Sequence, residues 1–458
     1  VQITGKVAKM LKITIIGAGS TMFARQLLSA IFSYPELRDA TIMLEDLNEK
    51  EVNRTAILAE KMVEQEGISA VIKKTTDQKE AVRGADFVIS TIQVGGDEPW
   101  MLDREIPKKY GIDQEAGDTL GPGGVFRGLR HIPATVNILR DMEKECPDAL
   151  FINYANPMAA VTWAANDASH IHTIGLCYGV PFTITQLAGY LNMGPWLEHP
   201  WKAELWDYGI NYTMPKNVNY FFGGINHMTW ILTYEIDGED LYPRIREMYK
   251  DPKVYEADGV RCEILKHFGY WSTENHWHFS DYVPYFRKNE DMINHFIPRR
   301  WNLIEGERKK KELDSISIQN QIDGKEKIDI KKNMFNAPKI IHAMVSGQIE
   351  MINGNVKNNG LIKNLPEDCV VEVPVYVDKS GLHPACVGTL PPQCAALNQT
   401  NINVQSLIVE AALNGDKAAA RQAVALDPLT SAVCTLDEVK KMFDEIFEAE
   451  RKWLPEFE

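Results

Sequence analysis

The chain has 458 residues, 45% of them hydrophobic and 24% charged, which suits a two-domain globular enzyme with ample core material. A formal net charge of −14 argues against general affinity for nucleic acid, because phosphates would be repelled. Seven cysteines, an odd number spread from Cys146 to Cys434, do not make a disulfide framework and fit a reducing compartment.

Residues 1–10 read as an N-terminal extension. The apolar run that follows is too short for a signal segment or a membrane span, so a cytoplasmic protein is expected. Residues 12–16 read as a buried strand, followed by Gly17-Ala18-Gly19-Ser20 and a helix-like stretch over 22–32. A second strand, 40–44, ends in Glu45-Asp46. A helix over about 49–66, a strand at 70–73, a helix starting at 78–82 and a strand at 86–92 continue the alternation. The pattern returns at 150–153 and 173–176. Such alternation predicts a parallel sheet with crossover helices. The expected fold class is therefore α/β: a Rossmann-like, doubly wound dinucleotide-binding domain over 11–195, then an α+β substrate domain over 196–458. The second part opens on an aromatic stretch, 195–222, without periodicity. Helices are expected near 241–249 and 259–268, and the charged run 305–313 reads as a solvated helix face. Strand-like segments at 349–356 and 370–377 precede helices at 406–413, 417–424 and 436–453.

Gly17 and Gly19 stand where a chain must turn sharply and admit a pyrophosphate to a helix N-terminus that Ser20 and Thr21 open. Met22 occupies the third glycine position of the fingerprint, and a plain strand-to-helix turn would need the same two glycines. Asp46 ends the second strand, where a carboxylate accepts ribose hydroxyls and repels a 2′-phosphate, favouring NAD over NADP. Thr91 and Gln93, at the end of the fourth strand, fall on the same rim. Cys177 follows another strand at its carboxyl end, and His227 lies in Gly223-Gly224-Ile225-Asn226-His227-Met228. One thiolate and one imidazole make an incomplete metal site whose other ligands would be substrate and water. By spacing alone, a buried inert cysteine and a hydrogen-bonded core histidine are the commoner outcomes.

Several ordered motifs go further: IGAGS at 16–20, DTLGPGG at 118–124, NYANPM at 153–158, GLC at 175–177 and GINHM at 224–228. GNVKNNGLIKNLP at 354–366, VEVPVYVD at 371–378 and TNINVQ at 400–405 complete the set. Through these motifs, over residues 13–453, the chain resembles glycoside hydrolase family 4, and within it the bacterial α-galactosidases. The resemblance implies a lactate/malate dehydrogenase-like architecture with NAD and Mn2+ as cofactors. It implies hydrolysis of an α-glycoside by transient oxidation at carbon 3, elimination of the aglycone, water addition and re-reduction. Cys177 and His227 match the family's metal ligands, and Asn153 its sugar contact near the metal. Asp118, a further catalytic candidate, and Thr119 match the loop that faces substrate, and Asn226, beside the histidine ligand, is expected to contact the substrate. Arg127 and Arg130 follow on a helix, to orient sugar hydroxyls or an acidic group, unless they form surface salt bridges. For the base at carbon 2 the candidates are Asp281 and Tyr282, with Tyr282 preferred; it would need its pKa lowered by a nearby cation. A homodimer or homotetramer acting on a small glycoside, without membrane or nucleic-acid partners, is implied as well.

Tyr178 departs from the family pattern, standing where many relatives carry a histidine proposed as the leaving-group acid. Asn275-His276-Trp277-His278 is also unusual beside the base, and such groups suit stacking and hydrogen bonding to an altered substituent. An α-glucuronide, an α-galacturonide or a sulfoquinovoside is thus an alternative to the galactoside. From other classes, a NAD-dependent 2-hydroxy acid dehydrogenase gives Cys177 no task, and a non-catalytic NAD-binding sensor gives the metal and base candidates none.

Overall fold

The computed structural model describes residues 10–194, 216–298 and 303–457. Residues 1–9 of the expected N-terminal extension and residues 195–215 of the aromatic stretch lie outside the described residues.

Short apolar runs form six parallel strands: β1 (Lys12–Ile16), β2 (Thr41–Glu45), β3 (Val71–Thr75), β4 (Phe87–Ser90), β5 (Leu150–Asn153) and β6 (Thr173–Gly175). Helices cover both faces of the central strands, so β4, β5 and β6 are buried at every position and need no alternation. β3 is the edge, and its Lys73 and Lys74 face water. The strands lie side by side in the order 3-2-1-4-5-6. This is the order of a Rossmann-like dinucleotide-binding sheet, which opens a crevice at the carboxyl ends where β1 and β4 diverge.

The sheet continues across the expected domain boundary near residue 195. Later strands are β7 (Val218–Ile225), β8 (Met228–Ile236), β9 (Glu239–Asp240), β10 (Trp271–Ser272), β11 (Glu350–Lys357), β12 (Val370–Asp378) and β13 (Gly381–Pro384). β11 pairs antiparallel with β6, and the order runs on through β12, β7, β8 and β10. The second half of the chain thus supplies the antiparallel half of one mixed sheet.

The β7–β8 hairpin, for which the sequence carries no turn signal such as Asn-Gly, closes through Asn226 and His227. His227 sits at φ +64°, in the left-handed region that costs a residue with a side chain roughly 1–2 kcal/mol. Backbone strain of this kind is kept where a side chain has a task. The helix Pro392–Asn414 braces the hairpin from behind: Asn398 Nδ2 donates to Met228 O at 2.8 Å, and Trp230 Nε1 donates to Asn398 Oδ1 at 3.1 Å. Only its last part, 406–413, is expected from periodicity. The earlier turns carry Asn398 and Asn401, buried polar residues that tertiary contacts hold helical against their weak propensity. The charged run lies on the helix Leu303–Ile322, from which Lys311 reaches Asp97 at 2.6 Å. All seven cysteines are free, and among the described residues no helix is long and apolar enough to cross a membrane.

Candidate active site

The turn after β1 is built on two glycines with no room for a side chain. Gly17 has φ +82°, and a Cβ there would meet the Thr91 backbone at 2.9 Å. A Cβ on Gly19 would lie 2.5 Å from Asp46 Oδ2, which instead accepts the Gly19 N–H at 2.8 Å. Asp46 Oδ1 accepts from Asn48 N. Thr91 Oγ1 donates to Ile16 O and Gly17 O, tying the ends of β4 and β1 together. The helix Thr21–Phe32 starts at Ser20 with no side-chain cap and no acidic residue in its first turn. Thr21 N is taken by Gly19 O at 2.8 Å, and the next N–H groups, those of Met22 and Phe23, are left for an anion. Thr21 turns inward to Thr55 Oγ1 at 3.0 Å and packs the helix rather than facing the cleft. Gly17, Ser20, Asp46, Thr91 and Gln93 line this cleft with Tyr154, Asn156 and Arg127.

The cleft runs on into a second hollow, sharing Ser20, Phe23, Gln93, Arg127, Tyr154 and Asn156 with it. One groove therefore leads from Asp46 to Cys177, His227 and Glu274. Asn156 is its hub, with Nδ2 donating to Asp118 Oδ2 at 2.9 Å and its carbonyl accepting from Arg127 Nε at 3.3 Å. His131 Nε2 accepts from Val94 N, so the proton sits on Nδ1 and is donated to Asn156 O at 2.6 Å. Burial, with Arg127 and Arg130 nearby, holds His131 well below its ordinary range, so it is a neutral bracket behind the groove wall. Burial would raise the Asp118 carboxyl. Arg127, His278, His227 and the Asn156 bond outweigh it and hold Asp118 below the usual range. Asp118 is thus an anion at neutral pH, suited to accept hydrogen bonds or a proton rather than to act as an acid.

At the far end, Glu274 Oε1 lies 3.6 Å from both Cys177 Sγ and His227 Nε2, and the three donor atoms fall within 4.8 Å of one another. Glu274 is absent from the sequence reading. It enters through the pairing of β10 with β8, which sets Thr273 against Thr229, and through Arg261, which donates to the Glu274 carbonyl. Gly179 makes the approach possible, since a Cβ there would stand 2.5 Å from Glu274 Oε1. Its N–H points at Cys177 Sγ at 3.4 Å, from the start of the helix Gly179–Tyr190.

The tautomer of His227 follows from its neighbours. Thr119 Oγ1 has one hydrogen, which it gives to the ionised Asp118 Oδ1 at 2.8 Å. His227 Nδ1, 3.0 Å from the same oxygen, is then the donor, and the Nε2 lone pair faces the cluster. Burial holds His227 below its ordinary range, so the ring stays neutral. A thiol sulfur, an imine nitrogen and a carboxylate oxygen converge on one point. Metal–ligand bonds of about 2.0–2.3 Å set adjacent donors roughly 3–4 Å apart, so the set fits a divalent transition metal. Asn226 leans its amide toward the Cys177 sulfur short of hydrogen-bond geometry, and both of its polar atoms are buried without a partner. Burial, then the charges of Glu274 and Glu372, push the Cys177 thiol well above its usual range, so the thiolate needs a cation beside it.

Tyr282, Tyr178 and His278 surround this end. The Tyr282 hydroxyl lies 3.2 Å from His227 Nδ1 and 3.2 Å from His278 Nδ1. Burial, then Asp118 and Asp281, hold the phenol well above its usual range. Tyr178, His278, Trp277 and Trp100 line the hollow.

Besides Thr21, three expected site residues point elsewhere. Asp281 is buried in an ion pair with Arg287 at 2.8 Å and accepts from Glu115 N and Ala116 N, so its lone pairs are spent on holding that loop. Asn153 folds over its own loop, with Oδ1 accepting from Ala155 N and Nδ2 donating to Ala155 O. It thereby shapes the turn whose Tyr154 and Asn156 reach the groove. Arg130 is neither a groove residue nor a surface one: it is buried between Asp103, at 2.7 Å, and Glu450. Burial and the Asp103 charge push the Glu450 carboxyl up, and burial raises Asp103 against the pull of Arg130. Arg130→Ala strands that pair, and a loss of about 3–5 kcal/mol in unfolding free energy is expected by denaturant titration. A variant as stable as the parent would show that the cluster is not held by the arginine.

The description "Family 4 glycosyl hydrolase" matches residues 12–193, and "Family 4 glycosyl hydrolase C-terminal domain" matches residues 222–430. The chain is 38% identical to an α-galactosidase of Bacillus subtilis (strain 168), over 98% of this chain and 100% of that one. It is 35% identical to an α-galactosidase of Rhizobium meliloti (strain 1021), over 97% of this chain and 89% of that one. Among solved structures it is similar in fold to a 6-phospho-α-glucosidase from gut microorganisms in complex with NAD and Mn2+. That likeness has a TM-score of 0.81 and 19% identity, covering 98% of this chain and 100% of the other.

Proposed function

The chain belongs to the family 4 glycosyl hydrolases, and from that membership we propose that it hydrolyses an uncharged α-galactoside with NAD and a divalent transition metal, Mn2+ in the first instance. What carries the reading is the single groove that joins the Asp46 cleft to the Cys177–His227–Glu274 cluster. NAD bound there supplies a hydride acceptor and donor, and a bound divalent cation stabilises charge on the oxidised sugar.

The chain's own groups do the rest. Asp46 accepts the ribose hydroxyls, and the open N-terminus of Thr21–Phe32 receives the pyrophosphate. Cys177, His227 and Glu274 hold the metal, and the orphaned amide of Asn226 finds its partners in the loaded site. Asp118, fixed by Asn156 and Thr119, and Arg127 orient sugar hydroxyls where the two cofactor regions meet. The Tyr282 oxygen, once its own proton has left and it stands as phenolate, would take the carbon 2 proton; a cation bound beside it would oppose the burial that holds the phenol up. Tyr178 faces the same hollow beside Cys177 and is the chain's proton donor for the leaving group.

The choice of an uncharged sugar rests on charge. The hollow is lined by the carboxylates of Asp97, Glu115, Asp118 and Glu274 against the cations of Arg127 and Lys311. Lys311 is bound to Asp97, and Arg127 sits in the field of Asp118. With four carboxylates against two fixed cations, the described lining disfavours a further carboxylate or sulfonate on carbon 6.

The test is a panel of p-nitrophenyl α- and β-glycosides, with NAD and Mn2+ each present or omitted. The α-galactoside is expected to turn over only with both, and without accumulation of NADH. Preference for a hexuronide or sulfoquinovoside would overturn the uncharged-sugar reading, and NADH rising in step with substrate would replace hydrolysis by dehydrogenation. Within the same reading, Asp46→Ala is expected to weaken NAD binding about tenfold or more, the worth of charge-assisted bonds to ribose. It should also narrow the preference over NADP; unchanged affinity by fluorescence titration would remove Asp46 from the site.

A further inference from the structure

The VEVPVYVD motif lies on β12, where Val371, Val373, Val375 and Val377 are buried and Glu372 is only 1% exposed. A carboxylate in the middle of an apolar strand costs more than a valine would, unless its bonds serve something. Glu372 stands in one lateral row of the sheet: Gly175 on β6, Asn355 on β11, Glu372 on β12, Gly224 on β7 and Thr229 on β8. Cys177 lies just beyond one end of that row. His227 lies in the turn between Gly224 and Thr229.

The bonds of Glu372 reach each of the three metal-donor segments. Its Oε1 accepts from Asn353 Nδ2 at 2.8 Å, and the other hydrogen of that amide goes to the Cys177 carbonyl, also at 2.8 Å. Its Oε2 lies 2.7 Å from Thr229 Oγ1, which is 2.9 Å from Ile225 O at the root of the His227 turn. Thr229 N in turn donates to Thr273 Oγ1 at 3.0 Å, in the residue before Glu274. We propose that Glu372 is a positioning residue for the metal centre, holding in one register the segments that carry Cys177, His227 and Glu274. The inference rests on the metal reading given above.

Thr229 has one hydroxyl hydrogen and two acceptors in reach. In Glu372→Gln, an amide nitrogen at Oε2 donates to Thr229 Oγ1, the hydroxyl serves Ile225 O, and the amide oxygen still accepts from Asn353. Glutamine therefore preserves every link, and alanine removes them.

The experiment is a titration of the NAD-loaded, full-length protein with Mn2+, followed by the paramagnetic resonance of the free and bound ion. Glu372→Ala is expected to weaken Mn2+ binding about 10–100-fold, and Glu372→Gln to restore it to within about threefold of the parent. NAD affinity should stay within about twofold, because none of the hydrogen-bond partners of Glu372 lines the Asp46 cleft. Where the alanine protein does not fold, Thr229→Val decides, with an expected loss of about 3–10-fold in Mn2+ affinity. Unchanged Mn2+ affinity in Glu372→Ala, or in Thr229→Val, overturns the proposal. So does a parallel fall in NAD affinity, or a glutamine protein no better than the alanine one. A parent that binds Mn2+ no better than Cys177→Ser overturns the metal reading itself, a result the Glu372 variants cannot produce.

Discussion

In Cys177→Ser, Mn2+ affinity is expected to fall by more than about 100-fold and turnover by roughly 1000-fold or more, while NAD still binds. The sulfur is the one soft donor in the cluster, and a serine hydroxyl neither ionises in its place nor reaches as far. Loss of a direct ligand exceeds the roughly 10–100-fold cost of disturbing an outer partner. A cation that stabilises developing charge by several kcal/mol accounts for a rate loss of about 1000-fold. Folding should be little affected, since the sulfur's backbone contact is the 3.4 Å approach of Gly179 N. Metal titration and p-nitrophenyl glycoside turnover check the first part, and fluorescence titration with NAD checks the second. A serine protein with parental metal affinity would leave Cys177 as a buried thiol and nothing more.

Tyr282→Phe removes a hydroxyl held between His227 Nδ1 and His278 Nδ1 and leaves the ring stacked on His227 with centroids 5.9 Å apart. The packing survives and the proton acceptor does not. Exchange of the carbon 2 proton with solvent is expected to slow about 100- to 10,000-fold, the usual worth of a positioned acid–base group. The effect belongs in kcat, because Cys177, His227 and Glu274 remain in place; deuterium incorporation from heavy water measures it directly. Parental exchange would move the base elsewhere. Asp118 is then next in line, since Asp281 is spent on Arg287 and the backbone of Glu115 and Ala116.

The two halves of the groove differ in how far they can be read from the chain. The determinants of the nucleotide half are local: strand, glycine turn, helix start, and a carboxylate at the end of the next strand. The spacing predicts Gly17, Gly19, Ser20 and Asp46 without reference to anything distant; Gly17, Ser20 and Asp46 line one cleft, Gly19 packs against Asp46, and no side chain can replace either glycine. Thr21, in the same motif, was legible only as part of the turn, because which way a helix's first residue faces depends on what it packs against.

The metal half is assembled from strands far apart in sequence. Cys177 and Glu274 are 97 residues apart and meet only because β10 pairs with β8. Motif resemblance names Cys177 and His227, and no local pattern marks Glu274 as their neighbour. Arg127 and Arg130 stand three residues apart on one helix face, so periodicity cannot separate them. Asp103 and Glu450 do so by claiming Arg130 and leaving Arg127 to the groove. Within Asn153-Tyr154-Ala155-Asn156, loop geometry decides which amide shapes the turn and which one lines the groove.

By itself, then, the sequence determined the parallel sheet and the dinucleotide turn, because apolar runs, glycine freedom and strand-end carboxylates act within a few residues of one another. Its ordered motifs also carried the family. The tertiary structure alone decided the third metal donor, the tautomer of His227, and which of several neighbouring polar groups reach the groove. Those outcomes depend on strand pairing and on buried partners contributed by remote segments, and side chains compete for such partners only once the chain is folded.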